Sequence, residues 1–148
     1  MPADVGGSAF SIELCDWMSG EERLRAVRHA VFVVEQRIPD ALEWDGIDRD
    51  CRHALALDAA GRPVGCARLL PDGHIGRVAV LAAWRRHGVG SALLVRLIEL
   101  ARASGHARTI LNAQTTAMPF YARHGFVAIG AAYMEAGIPH QTMERPPG

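Results

Sequence analysis

The chain has 148 residues, 49% of them hydrophobic and 22% charged, the composition of one globular domain large enough to bury a core. Sixteen lysines and arginines balance sixteen aspartates and glutamates, so no global field draws it to nucleic acid or a membrane surface, and any anion site must be local. No apolar run reaches the length of a membrane span, no basic-then-apolar leader opens the chain, and Cys15, Cys51 and Cys66 are too few and too scattered for a disulfide framework or a zinc site, so reduced thiols in a cytoplasm are expected.

Residues 1–8 and 146–148 are rich in glycine and proline and are expected to fray, leaving one domain between them. Phe10, Ile12 and Leu14 alternate with polar residues, which predicts a half-buried strand over 9–15. Ser19 and Glu22 form a capping-box pattern, and Leu24, Val27, Val31 and Val34 give the helix that follows its buried stripe. From Glu35 to Asp50 the period breaks. Pro39 interrupts it, Asp40-x-x-Glu43 caps one further short helix, and Asp40, Glu43, Asp45, Asp48 and Asp50 crowd together. That acidic stretch is either a solvated connector or a negative wall that attracts a cationic amine.

Strands over His53–Leu57 and Pro63–Leu70 flank a hairpin loop at Asp58–Arg62, and Pro71-Asp72-Gly73 turns the chain into a strand over Ile75–Val80. Arg68 shares a strand face with Val64, Cys66 and Leu70, where an arginine snorkels, pairs, or holds a substrate carboxylate. Arg85, Arg86 and His87, then Gly88 and Gly90, lead into a helix whose buried stripe is Val89, Leu93, Leu94, Leu97, Ile98 and Ala101, with Gly105 as its stop. Thr109–Ala113 reads as another strand. Thr115 or Thr116 then caps a short helix with Pro119 in its first turn, ended by His124-Gly125. Phe126–Ile129 and His140–Glu144 are the last strands, with 130–139 unassigned. The order β-α-α-β-β-β-α-β-α-β-β, mostly hairpins, predicts an α+β fold on a mixed, largely antiparallel sheet.

Strand, glycine loop and helix N-terminus together make a site for anionic phosphate. A P-loop would need Gly-Lys-Ser/Thr, but Gly90-Ser91 lacks the lysine, and a dinucleotide fold would need a third glycine where Leu93 stands. Arg85-x-x-Gly88-x-Gly90 instead resembles the pyrophosphate signature of the GNAT superfamily of acetyl-CoA-dependent N-acyltransferases. Gln114, seven positions before Tyr121 and followed by Gly125-Phe126, resembles that family's second signature, where asparagine is commoner than glutamine at the first position. The resemblance runs from about Phe10 to Met143. Val31-Phe32-x-x-Glu35-Gln36 and Ala136-Gly137-Ile138-Pro139-His140 look like a bacterial branch whose substrates are poorly defined.

The resemblance implies a GNAT-like sheet with helices on both faces, acetyl-CoA as co-substrate, no metal, and a small-molecule or peptidyl amine as acceptor. It also implies a homodimer through sheet edges as the default. Arg85, Arg86, His87, Gly88, Val89, Gly90 and Ser91 would cradle the pyrophosphate, and the backbone of Val78, Ala79 and Val80 would hold the pantetheine arm. The Val80 N–H would polarise the thioester carbonyl, Gln114 would bond the cofactor, and Tyr121 would bind CoA and act as general acid to the thiolate. Glu35, Asp45, His53, His74 and His140 stand open as the base, with Glu35 and His140 foremost. Glu35, Arg68 and Arg77 are acceptor-site candidates, Arg77 being equally a partner for the acidic stretch. Direct attack in a ternary complex is expected over an acyl-cysteine, because nothing in the sequence activates Cys66 or Cys51. A longer acyl-CoA donor, or CoA binding without catalysis, are the competing readings. Scattered basic residues without an aromatic platform disfavour a nucleic-acid role.

Overall fold

The computed structural model describes residues 9–147, so the fraying expected over 1–8 and at Gly148 lies outside the described residues. In chain order the elements are β1 (Phe10–Cys15), α1 (Trp17–Arg28), α2 (Asp40–Glu43), β2 (Arg52–Asp58), β3 (Pro63–Leu69), β4 (His74–Val80), α3 (Val89–Ala103), β5 (Thr109–Gln114), α4 (Met118–Ala122), β6 (Val127–Ala128), β7 (Tyr133–Glu135) and β8 (Ile138–Arg145). The sheet runs β1-β2-β3-β4-β5-β8-β6, with β7 also on β8, and every pairing is antiparallel except β4 with β5.

The sheet is covered on both faces because its strands alternate. On β2, Ala54 and Ala56 pack with the α3 stripe of Val89, Leu93, Leu94, Leu97, Ile98 and Ala101. Leu55 points the other way, to Trp17, Leu24, Val27, Val31 and Phe32. Gly65 on β3 sets how closely α3 can lie. A Cβ there would meet Val89 Cγ1 at 2.9 Å and Leu93 Cδ1 at 3.1 Å, so any side chain would push the helix away.

Three local expectations are corrected. The first helix starts at Trp17, not after Ser19, because Asp16 is the cap: its Oδ1 accepts the Ser19 N–H at 2.8 Å. Neither Thr115 nor Thr116 caps α4, which follows a 3₁₀ turn over Thr115–Ala117 without a side-chain cap. The unassigned 130–139 stretch holds β7, paired to β8 through Tyr133↔His140, Met134↔Pro139 and Glu135↔Ile138.

Two irregularities create the site. After Arg28 the first helix widens into a π-helical stretch, His29–Glu35, which delivers Glu35 and Gln36 to the open side of β4. On β4, Cys66↔Ala79 and Arg68↔Gly76 leave Arg77 and Val78 opposite Ala67 alone, a bulge with Arg77 at φ +50. β4 and β5 pair only at His74↔Ile110 and Ile75↔Leu111, so the strands part beyond Ile75.

The acidic stretch is neither a solvated connector nor an open negative wall. Arg28, 1% exposed, holds Glu43 at 2.7 Å and Asp48 at 2.6 Å. Arg68 holds Asp45 at 2.6 Å and Asp48 at 2.9 Å, and Arg77 reaches Glu43 at 3.2 Å and Asp45 at 3.3 Å. Three arginines from α1, β3 and β4 neutralise three carboxylates and pin residues 43–48 against the sheet.

Candidate active site

Where β4 and β5 part lies a cleft of about 1010 Å³, walled by Gly76–Val80 on one side and by Leu111, Asn112 and Gln114 on the other. One end of it is built around Gly88, which takes φ +83, a left-handed conformation that side-chain-bearing residues seldom adopt. α3 therefore begins with no side-chain cap, and Val89, Gly90 and Ser91, in its first turn, have no intrahelical partner for their N–H groups. These are the donors an anion needs. Gly90 lies under the Phe120 ring, 3.4 Å from where a Cβ would stand. Ser91 Oγ is 3.0 Å from His124 Nε2, and the His87 ring packs edge-on to Trp84.

Along the cleft, the Leu81 N–H donates to the Val64 carbonyl at 2.9 Å, back into the sheet. Strand alternation then turns the N–H group of Val80 the other way, toward the gap that β5 leaves, while Ala79 faces β3. The Val80 carbonyl is itself held by Arg85 Nε at 3.0 Å. The same guanidinium forms a two-pronged pair with Glu35, 2.6 Å for each contact. Arg85 thus spends its charge on Glu35 and on the β4 backbone. Of the basic trio, Arg86 is the arginine left without an ion-pair partner among the described residues.

Tyr121 lines the cleft from α4, 9% exposed, with its ring edge-on to Phe120 and Phe126. Burial pushes its phenol up to about 12. Gln114 ends β5, where its Nε2 donates to Gln36 Oε1 at 2.8 Å and ties the strand to the end of the π-helical stretch.

The base candidates separate cleanly. Glu35 lines the cleft, but the hydrogen bond from Arg85 holds its carboxyl below the usual range. Burial works to raise the Asp45 carboxyl, yet the bonds from Arg68 and the charges around it prevail and hold it at about 2. His53 is 1% exposed beneath α1, its Nε2 2.9 Å from the Asp48 carbonyl, and burial pushes it down. His74 lines the cleft with Nδ1 3.0 Å from Asp72.

His140 differs from these. Its Nδ1 lies 2.7 Å from the Ile138 carbonyl, and a carbonyl can only accept, so Nδ1 carries the proton and the neutral ring keeps its lone pair on Nε2. Tyr133 stacks on the ring at 5.9 Å, and His140 lines the cleft.

Arg68 and Arg77 also touch the cleft, but both guanidiniums are committed to Asp45, Asp48 and Glu43. The geometry makes them structural partners of the acidic stretch rather than open carboxylate holders. Burial pushes the Cys66 thiol up to about 12 and Cys51 to about 11, so neither is poised as a nucleophile. No metal-ligating trio occurs among the described residues. Sequence reasoning missed Phe120, Arg123 and Glu135 as cleft residues. Phe120 had a signal, being one residue before Tyr121 on a short helix; Glu135 had none.

The comparisons agree with this geometry. A family model described as an acetyltransferase (GNAT) domain matches residues 19–146. The uncharacterized N-acetyltransferase YjcF of Bacillus subtilis is 38% identical over 130 residues, covering 83% of this chain and 92% of that protein. The crystal structure of Escherichia coli ElaA superposes with a TM-score of 0.83 at 31% identity, covering 93% of this chain and 99% of that one. An acyl-CoA N-acyltransferase from Pseudomonas aeruginosa gives 0.80 at 32% identity over the same shares. With the family model matched over most of its length, the chain belongs to the GNAT acetyltransferase family, whose members take an acyl-CoA as co-substrate.

Proposed function

We propose that this chain moves an acetyl group from acetyl-CoA to a primary amine, by direct attack within a ternary complex. The observation that carries the reading is the parting of β4 from β5. It leaves the Val80 N–H facing a cleft that also holds an uncapped helix N-terminus and Tyr121.

The residues suit the donor. The free N–H groups of Val89, Gly90 and Ser91, with Arg86 beside them, match a diphosphate in charge and donor number. The edge of β4 offers backbone bonds to an amide-bearing arm. Val80 N–H donates to the thioester oxygen as charge builds on it, and because Arg85 holds the Val80 carbonyl, that donor is fixed before the substrate arrives.

An alkylammonium with a pKa of ~10.4 costs about 4.6 kcal/mol to present as free amine at pH 7. His140 Nε2 takes that proton. The amine nitrogen bonds to the acetyl carbon, the carbon–sulfur bond breaks, and its electron pair leaves on sulfur. Tyr121 donates a hydrogen bond to that thiolate. One ammonium proton passes through His140 to solvent, and the second, shed by nitrogen as the amide forms, protonates the sulfur, so the products are the acetamide, CoA thiol and one proton.

The test is thiol release from acetyl-CoA across a panel of primary amines, with butyryl-CoA as the longer-chain control. Amine-dependent release with acetyl-CoA supports the reading. CoA-induced thermal stabilisation without release for any amine would favour binding without catalysis, and faster release from butyryl-CoA would assign a longer donor.

A further inference from the structure

The cleft is lined by four carboxylates, Glu35, Glu43, Asp45 and Glu135. Glu35 is taken by Arg85, Glu43 by Arg28 and Arg77, and Asp45 by Arg68 and Arg77. Of these four, Glu135 alone has no arginine partner among the described residues. Its ion-pair neighbour is His140, whose Nε2 is 3.9 Å from Glu135 Oε2. The pair is set by a tight hairpin. Glu135↔Ile138 closes a two-residue loop, Ala136-Gly137, with φ +52 and +75, the twist that matches flanking strands. Ala136 bears a left-handed φ uncommon for a residue with a side chain, so the loop is held there by its strands.

The free cations of the cleft are elsewhere. Arg86 and Arg123 have no ion-pair partner among the described residues, and they sit beside α3 and α4 at the donor end. Arg68 and Arg77 on the cleft are neutralised, and the cleft also carries the apolar side chains of Ile38, Leu42, Ile47 and Leu70, of which Leu42 and Ile47 are left 55% and 37% exposed.

Resting on the acetyl-transfer reading, we infer that Glu135 is the acceptor-ammonium anchor, and that the acceptor is a monoamine with an apolar alkyl or aryl body and no carboxylate. Glu135 holds the ammonium beside His140 Nε2, and the body lies on the Leu42–Ile47 wall. A carboxylate on the acceptor would meet no free cation and a nearby glutamate.

The experiment is calorimetric titration of phenethylamine and phenylalanine into the protein saturated with CoA, for the wild type and Glu135→Gln. Glu135 is 57% exposed, so the substitution leaves the fold alone, and CoA-induced thermal stabilisation of the variant checks both folding and the donor end. Phenethylamine should bind the wild type at least about tenfold more tightly than phenylalanine, and Glu135→Gln should weaken it by about tenfold or more. Equal binding by the variant, equal binding of phenylalanine, or no binding of phenethylamine to the wild type each overturns the inference. Binding without turnover would sink the reaction and leave this inference standing. Turnover with amine binding unchanged in Glu135→Gln would do the reverse.

Discussion

Replacing Tyr121 with phenylalanine removes one oxygen from the cleft and measures what a buried phenol can do for a leaving thiolate. Burial holds that phenol at about 12, while a thiol titrates near 8.5. Full transfer of the proton to free thiolate would therefore run uphill by about 3.5 pH units, or about 4.8 kcal/mol. The phenol is better used as a donor that stays protonated. A hydrogen bond to a charged sulfur contributes about 1.5–3 kcal/mol, so Tyr121→Phe should lower kcat by ~10- to 150-fold. The KM for acetyl-CoA should move less than about twofold, because the bond strengthens only as charge reaches sulfur. Initial rates of thiol release over a range of acetyl-CoA concentrations separate the two constants. A kcat within about threefold of wild type, with CoA affinity intact, would show that the thiolate leaves without this hydroxyl and would remove Tyr121 from the chemistry.

Arg28→Met leaves Glu43 to Arg77 alone and Asp48 to Arg68 alone, with Glu43 and Asp48 only 2% and 7% exposed; breaking such a buried pair costs about 3–4 kcal/mol, and Tm should fall by roughly 10 °C. Adding Glu43→Met should restore part of that loss, and a single variant that melts like wild type would deny the network its role in pinning 43–48. Asp45, held at about 2, and Asp48, where the arginine bonds prevail over burial to lower it, both have folded values below their unfolded ones. Their stabilisation is complete above about pH 4 and lost as pH falls toward 2, so melting curves should steepen downward across that window and Asp45→Asn should flatten the limb. Glu35→Gln should keep kcat within about threefold and leave the pH–rate profile in place, because the bond from Arg85 already holds that carboxylate too acidic to collect a proton near neutrality. A fall beyond about 30-fold with a displaced basic limb would restore Glu35 as the base.

The glycine turn and helix beside the cleft were legible because their determinants are local. Gly88 and Gly90 lie within one turn of the stripe they start, and the period of Val89, Leu93, Leu97 and Ala101 places that helix on the sheet. The start of α1 was misplaced by the same kind of rule. Asp16 and Ser19 are both good caps three residues apart, and only the bond from the Ser19 N–H to Asp16 chooses between them. The bulge at Arg77 was invisible because one extra residue does not disturb so short an alternation. The hairpin at Ala136-Gly137 lacks the asparagine or aspartate that announces such a turn.

The acceptor half failed for a different reason. Its pairings join residues far apart in sequence: Arg28 with Glu43 across 15 residues, Arg68 with Asp45 across 23, and Arg77 with the Glu43 carbonyl across 34. An acidic run read in one dimension is a patch of negative potential. Folded against three arginines, three of its five carboxylates are electrically spent, at a Coulomb scale of several kcal/mol per contact in a low-dielectric setting. That cancellation also decides function, since what a substrate meets is the charge left over, not the charge present. Sixteen acids against sixteen bases said nothing about where the remainder would fall. Within the cleft, pairing them in the fold leaves Arg86 and Arg123 on one side and Glu135 beside His140 on the other, the placement that the proposed meeting of an anionic donor with a cationic acceptor would require.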